Sequence, residues 1–350
     1  MVSDRNYLTG LDGLRSIAIF ILVIGHCAQV DFISIGGEAL KSIPMPEGCL
    51  TVLFVLSGLL AGYFHDNNIS DILLYYKKRA GRVLPVYYLY LMAVLFLYWM
   101  FGHALEVFNS TLWYYVFPMG FVPFCMSNGI MPLVHLWFVA VVVLFYLIFP
   151  WLCKMSGNKI KQVSLSFALI LCVLKLLLNL TAGKDTFAYR FLGASQLDCM
   201  FFGVFLGILI RENIDLLHRI GDQRWLSLMA WAFFLLSGLY AHLVPAPIRN
   251  EFFALITTVM ILGLISNKPL IKLEHGVWHF LGKISYSVYV LHVIILIGTS
   301  YVCNHFGIIK DVSVLSSLAI YSFCLGISII VAWLCNTFFE KPMYKLISTK

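Results

Sequence analysis

The chain has 350 residues, of which 61% are hydrophobic and only 12% charged. Its mean hydropathy is +0.90 and its formal net charge +7. A water-soluble fold carries about half apolar and about a quarter charged residues, so this composition excludes a soluble globule. The apolar runs extend from end to end without a long polar block, which predicts one membrane domain over residues 1–350 with no appended soluble domain.

The opening stretch MVSDRNYLTGLDG is polar, and the apolar run after it meets Asp31 with no small-residue cleavage pattern, so it is expected to be a retained span. A span needs about 20 apolar residues. The first, 14 to 30, contains Arg15 near its entry and His26 eleven residues later. Eleven residues is about three helical turns, so the two side chains share a face and lie about 16 Å apart along the axis. A cation at one membrane surface and an imidazole toward the other half suit chemistry on a large anionic donor. A histidine satisfied by a neighbouring helix is the alternative.

A short second span, 49 to 63, holds Ser57 and Gly58, a pair suited to close helix packing as well as to substrate contact. The basic string YYKKRAGRVLP places Lys77, Lys78, Arg79 and Arg82 at the mouth of the third span, 85 to 101. Arg79 and Arg82, three apart, fall on neighbouring faces of a helix and could grip one phosphate; topological charge facing anionic head groups is the alternative. Residues 111 to 126 are apolar but short and carry Pro118 and Pro123, and Trp113, Tyr114 and Tyr115 fit interface anchors.

Further spans are expected at 134 to 153, beginning near Trp137, and at 163 to 181, which contains Lys175. The next, 196 to 212, contains Asp198, a residue for acceptor binding, helix capping, or pairing with Arg190 or Lys175. The last four fall at 225 to 244, 250 to 266, 284 to 303 and 312 to 338. The ninth holds Ser285, Tyr286 and His292, with Ser285 and His292 on one face.

Charge arbitrates the segment 111 to 126. If it does not cross, ten spans place 18 Lys and Arg on the side of both termini and 5 on the other; if it does, the bias falls to 10 against 13. The positive-inside rule therefore predicts an all-α bundle of ten spans with cytoplasmic N- and C-termini and 111 to 126 outward-facing or re-entrant. The same topology explains the net positive charge without nucleic acid. The nine cysteines lack the close spacing of a zinc or redox motif, so no metal is expected.

The string YLTGLDGLRSIAIFILVIGHCAQ resembles the opening of the acyltransferase family 3 membrane proteins, marked by an Arg and, after ten intervening residues, a His. LFVLSGLLAGYF, the Arg-x-x-Arg of KKRAGRVLP, HLWFVAVVVLFYLIFP and LGKISYSVYVLHV follow in the family's order and cover the chain nearly end to end. The resemblance implies a ten-span enzyme that takes an acyl group, acetyl foremost, from cytoplasmic acyl-CoA to a hydroxyl of a surface or lipid-linked glycan. It implies that His26 is catalytic, that Arg15 supports it, and that Arg79 and Arg82 lie at the donor site. Asp198 resembles an acidic position of the family, and Ser57, Trp137 and Tyr286 complete the candidate substrate contacts. Asp12 is a candidate to orient Arg15.

The family also implies a bacterial inner membrane, with membrane lipids as surroundings. The chain departs from many relatives in having no carboxylate after Trp137, where FVAVVVLFY stands. A transporter or flippase, with His and Arg lining a path, is the rival reading, and a scaffold in a glycan assembly is a third.

Overall fold

A computed structural model describes residues 8–29, 46–64, 72–102, 109–307 and 314–348. The described residues form helices and no strand: α1 (Leu11–Gln29), α2 (Cys49–Tyr63), α3 (Ile72–Met100), α4 (Leu112–Val116), α5 (Phe121–Cys125), α6 (Trp137–Leu152), α7 (Gly157–Thr181) and α8 (Phe187–Ser195). They continue as α9 (Leu197–Glu212), α10 (Ile214–Gly221), α11 (Arg224–Leu235), α12 (Ser237–Tyr240), α13 (Arg249–Ile265), α14 (Gly276–His305), α15 (Val314–Cys335) and α16 (Lys341–Ser348). Among the described residues, seven helical segments are long and apolar enough to cross a membrane, and eight if α11 and its 63° bent continuation count as one. The 15-residue α2 is a shorter apolar helix. The protein is an all-helical integral membrane protein.

Several boundaries differ from those expected. The helix of the third span begins well before 85: α3 starts at Ile72 and runs through the basic string and Pro85 without a break. Long Lys and Arg stems can lie along a helix while their charges reach outward, so a basic stretch need not end it. The span expected at 225 to 244 is interrupted after Leu235. Residues 111 to 126 yield two five-residue helices, α4 and α5, each far too short to cross.

That irregular stretch carries backbone groups that helices would have satisfied internally. Tyrosines of α3 supply partners for two of them and for two more in the irregular residues that follow. The hydroxyls of Tyr87, Tyr88, Tyr90 and Tyr98 donate to the carbonyls of Tyr115, Val116, Pro132 and Met131 at 2.7, 3.0, 3.1 and 2.7 Å. Tyr115 is itself buried and accepts from the N–H of Ile130, so it is a core residue and not the interface anchor expected of it; Trp113 and Tyr114 are exposed. Non-helical backbone at membrane depth requires such cover by the rest of the protein.

The closest packing lies between α2 and α9. A Cβ on Gly58 or Gly62 would collide with the carbonyls of Met200 or Val204, and one on Gly203 or Gly207 with those of Val55 or Leu59. Small residues four apart on both helices let the backbones touch, which is how dispersion drives helix association where lipid competes for apolar surface. Ser57 spends its hydroxyl on the carbonyl of Leu53 in its own helix at 2.7 Å.

Candidate active site

Helices α1 and α14 run side by side in the same direction: Gly282 meets Asp12 near their beginnings, and His292 meets His26 further along both. Nδ1 of His26 lies 2.8 Å from Nε2 of His292, with the rings stacked at 5.1 Å and 15°. Nδ1 of His292 lies 2.5 Å from the carbonyl oxygen of Tyr289, one turn earlier. A third histidine, His135, meets His292 edge to face at 5.4 Å. Its own nitrogens face the carbonyls of Pro132 and Val290, each at 3.0 Å. The hydroxyl of Tyr289 donates to the carbonyl of His135 at 2.6 Å and so ties α14 to the start of α6. Three imidazoles from three separate chain regions thus meet in one place, with His135 and His292 buried and His26 half-buried.

At the beginnings of the same two helices, Arg15 lies 3.5 Å from Asp12, whose other oxygen is 2.9 Å from Nδ1 of His279. Asp12 therefore sits where it can orient Arg15. The Arg79 guanidinium stands over the rings of Tyr146 at 4.7 Å and Tyr75 at 5.4 Å, while Arg82 stands over Tyr344 of α16 at 5.9 Å. The two arginines thus turn toward different aromatic neighbours, Arg79 toward α6 and Arg82 toward the C-terminal helix. Tyr286 donates to the carbonyl of Val83 at 2.7 Å and fixes α14 against α3.

With this register, His292 stands six residues beyond the contact and Arg79 four residues before it. At 1.5 Å per residue their backbones lie about 15 Å apart along the bundle.

Each of the remaining candidate residues has a partner within the protein. Asp198 is buried and paired with Lys175 at 3.0 Å, and Lys175 also meets Glu251 at 2.5 Å, so α7, α9 and α13 share an ion cluster. Of the alternatives for Asp198, the structure shows the pair with Lys175; Arg190 instead meets Asp185 at 3.1 Å and Ser127 at 2.6 Å. Trp137 opens α6 inside an aromatic stack, 4.6 Å and 15° from Phe124. Ser285 bonds back to the carbonyl of Gly282 at 2.8 Å.

Sequence reasoning missed the partner of His26, the role of His135, and two carboxylates that lie wholly or partly out of solvent. One is Glu251. The other, Glu340, accepts from Ser287 at 2.7 Å and Asn336 at 2.9 Å. The usable signal was the presence of three histidines in apolar runs, since intramembrane ionisable groups are rarely idle.

A cavity of about 650 Å³ opens between α5 and α8, at the end of the bundle where α6 and α9 begin, with Phe124, Ser127, Tyr189 and Arg190 in its wall. Among the described residues, no group of three His, Cys, Asp or Glu side chains could hold a metal ion.

Residues 8–337 match the family model described as an acyltransferase domain. The chain is 25% identical to the O-acetyltransferase OatA of Staphylococcus aureus, in strains NCTC 8325, COL and MRSA252 alike, over 86% of this chain and 53% of the relative. It therefore spans about half the length of the curated relatives it matches. No solved structure matches it.

Proposed function

Because the chain belongs to the acyltransferase family, we propose that it is a membrane O-acyltransferase carrying an acyl group, acetyl foremost, from cytoplasmic acyl-CoA to a hydroxyl of a cell-surface or lipid-linked polysaccharide. The observation that carries this reading is the axial separation of the histidine cluster from the arginines. Arg79 and Arg82 lie at one end of α3, and His26 with His292 lies about 15 Å further along the bundle, a distance an extended pantetheine arm can cover. The diphosphate of acyl-CoA then rests at the arginines, while its thioester reaches His26, on the helix whose entry holds Arg15.

In this reading the acceptor hydroxyl gives its proton to His26 as its oxygen attacks the thioester carbon. The carbon–sulfur bond breaks and the CoA sulfur leaves, taking up a proton in turn. The cavity beside Arg190 supports approach of the acceptor from the end opposite the donor arginines. Ten spans, cytoplasmic N- and C-termini and a bacterial inner membrane complete the proposal, with the charge bias of 18 against 5 as its support. Asp198, Ser57 and Trp137 take structural parts in it, and Tyr286 acts through α3.

The test is surface-glycan mass spectrometry in cells lacking the protein, complemented with wild type or with His26→Ala at equal membrane level. Restoration of one acyl mass increment by wild type alone is the expected result. Full restoration by His26→Ala removes His26 from the chemistry, and a glycan unchanged by deletion puts the transporter reading in its place.

A further inference from the structure

The contacts around His292 determine where the protons of the pair sit. A backbone carbonyl can only accept, so the Tyr289 oxygen at 2.5 Å requires a hydrogen on Nδ1 of His292. A neutral imidazole has one N–H, and Nε2 of His292 therefore presents a lone pair. That lone pair faces Nδ1 of His26 at 2.8 Å, so Nδ1 of His26 carries the hydrogen between them. The remaining lone pair of His26 is then at Nε2, on the far edge of its ring.

The competing arrangement puts a second proton on His292. It would bury a full charge in a side chain with no solvent exposure, and among the described residues no carboxylate bonds to either ring. An uncompensated buried ion costs several kcal/mol. The neutral chain from the Tyr289 carbonyl through His292 to His26 satisfies both nitrogens of His292 and Nδ1 of His26, and leaves only Nε2 of His26 open.

We propose that His292 is the positioning residue of His26, holding it in the one tautomer whose Nε2 is free to take a proton. This rests on the acyl-transfer reading above. When Nε2 of His26 accepts the proton of the acceptor hydroxyl, the O–H bond breaks and an N–H bond forms. The ring becomes an imidazolium, and its Nδ1–H bond to His292 becomes charge-assisted and stronger. The pair gains strength at the moment charge develops, as a preorganised partner must for it to favour the transition state. The proton on Nε2 is then returned to the departing sulfur, and both rings regain their starting tautomers. His292 does for His26 what a carboxylate does in other base pairs, without adding a fixed charge to the membrane interior.

The experiment compares His292→Phe and His292→Gln with wild type as full-length protein in lipid nanodiscs, with acetyl-CoA and a soluble oligosaccharide acceptor. His292→Phe should lower kcat about a hundredfold with donor and acceptor KM unchanged. His292→Gln, whose amide oxygen can accept near the position of Nε2, should return kcat to within about tenfold of wild type. Nitrogen-15 spectra of labelled histidine supply a readout independent of turnover. Wild type and His292→Gln should show His26 protonated at Nδ1 and bare at Nε2, and His292→Phe a mixture of tautomers.

Wild-type kcat in His292→Phe, or a His26 protonated at Nε2 in wild type, overturns the assignment. Equal loss in both variants together with a raised KM reduces His292 to a packing residue and overturns it as well. If wild type shows the expected tautomer but transfers no acetyl group, the acyl-transfer reading fails while the tautomer assignment stands.

Discussion

The hydroxyl of Tyr286 donates to the carbonyl of Val83 at 2.7 Å, one helical turn beyond Arg79 on α3. This bond sets the register between the helix that carries His292 and the helix that carries Arg79 and Arg82. Tyr286→Phe removes one hydrogen bond worth about 1 kcal/mol and leaves the ring in place. The expected outcome is a fall in kcat/KM of about fivefold with normal membrane level, measured on purified protein with acetyl-CoA. An unchanged kcat/KM would show that register to be held elsewhere.

Arg79 stacks over Tyr146 and Tyr75, a geometry that uses the planar guanidinium. Arg79→Lys keeps the charge and loses the plane, at a cost of about 1 kcal/mol. Donor KM should rise about fivefold while kcat holds. Arg79→Ala should raise it further. A drop in kcat with constant KM would move Arg79 from donor binding to chemistry.

The α2–α9 contact leaves no room for a side chain at Gly203. Gly203→Leu must push the helices apart, and overpacking of this kind costs about 1–3 kcal/mol or more where backbone is struck. Detergent-extracted Gly203→Leu should lose its monodisperse peak in fluorescence size exclusion. Gly326→Ala, whose added carbon meets nothing within 4 Å, should keep it.

Lys175, with its side chain 1% exposed, holds Asp198 and Glu251. Lys175→Met strands the buried Asp198 beside the half-buried Glu251, and breaking a buried pair costs about 3–5 kcal/mol. Its melting temperature in detergent should fall well below wild type. Adding Asp198→Asn and Glu251→Gln should recover part of the loss, because the orphaned charges are then gone. A single Lys175→Met variant as stable as wild type would show the cluster to be energetically idle.

Much of the architecture was legible from the lengths of the apolar runs, because lipid requires helices of a set length. The shared face of Arg15 and His26 was legible too, since both lie on one helix and periodicity alone relates them. Relations between helices were not. The basic string before Pro85 was expected at the mouth of a span beginning at 85, yet the helix begins at Ile72 and its arginines rest on aromatic rings. The spacing of Arg79 and Arg82 suggested a joint grip, but rings from α6 and α16 draw them apart. Lys175 was weighed as a partner for Asp198 because both are intramembrane and of opposite sign, whereas Glu251, at the mouth of a later helix, gave no cue of its own. His292 was visible as a polar residue in a span, but nothing local in sequence couples it to a histidine on the first helix.

That coupling has a consequence for how the protein comes into being. His26 and His292 are separated by 266 positions, so the pair does not exist while the chain is being made. The first helix can insert early, but its histidine stays unpartnered until the ribosome has released the helix holding the second. A partly synthesised chain in the membrane therefore carries Arg79 and Arg82 before the pair of His26 with His292 exists. The pair is completed in a single late step of biogenesis, when α14 settles against α1.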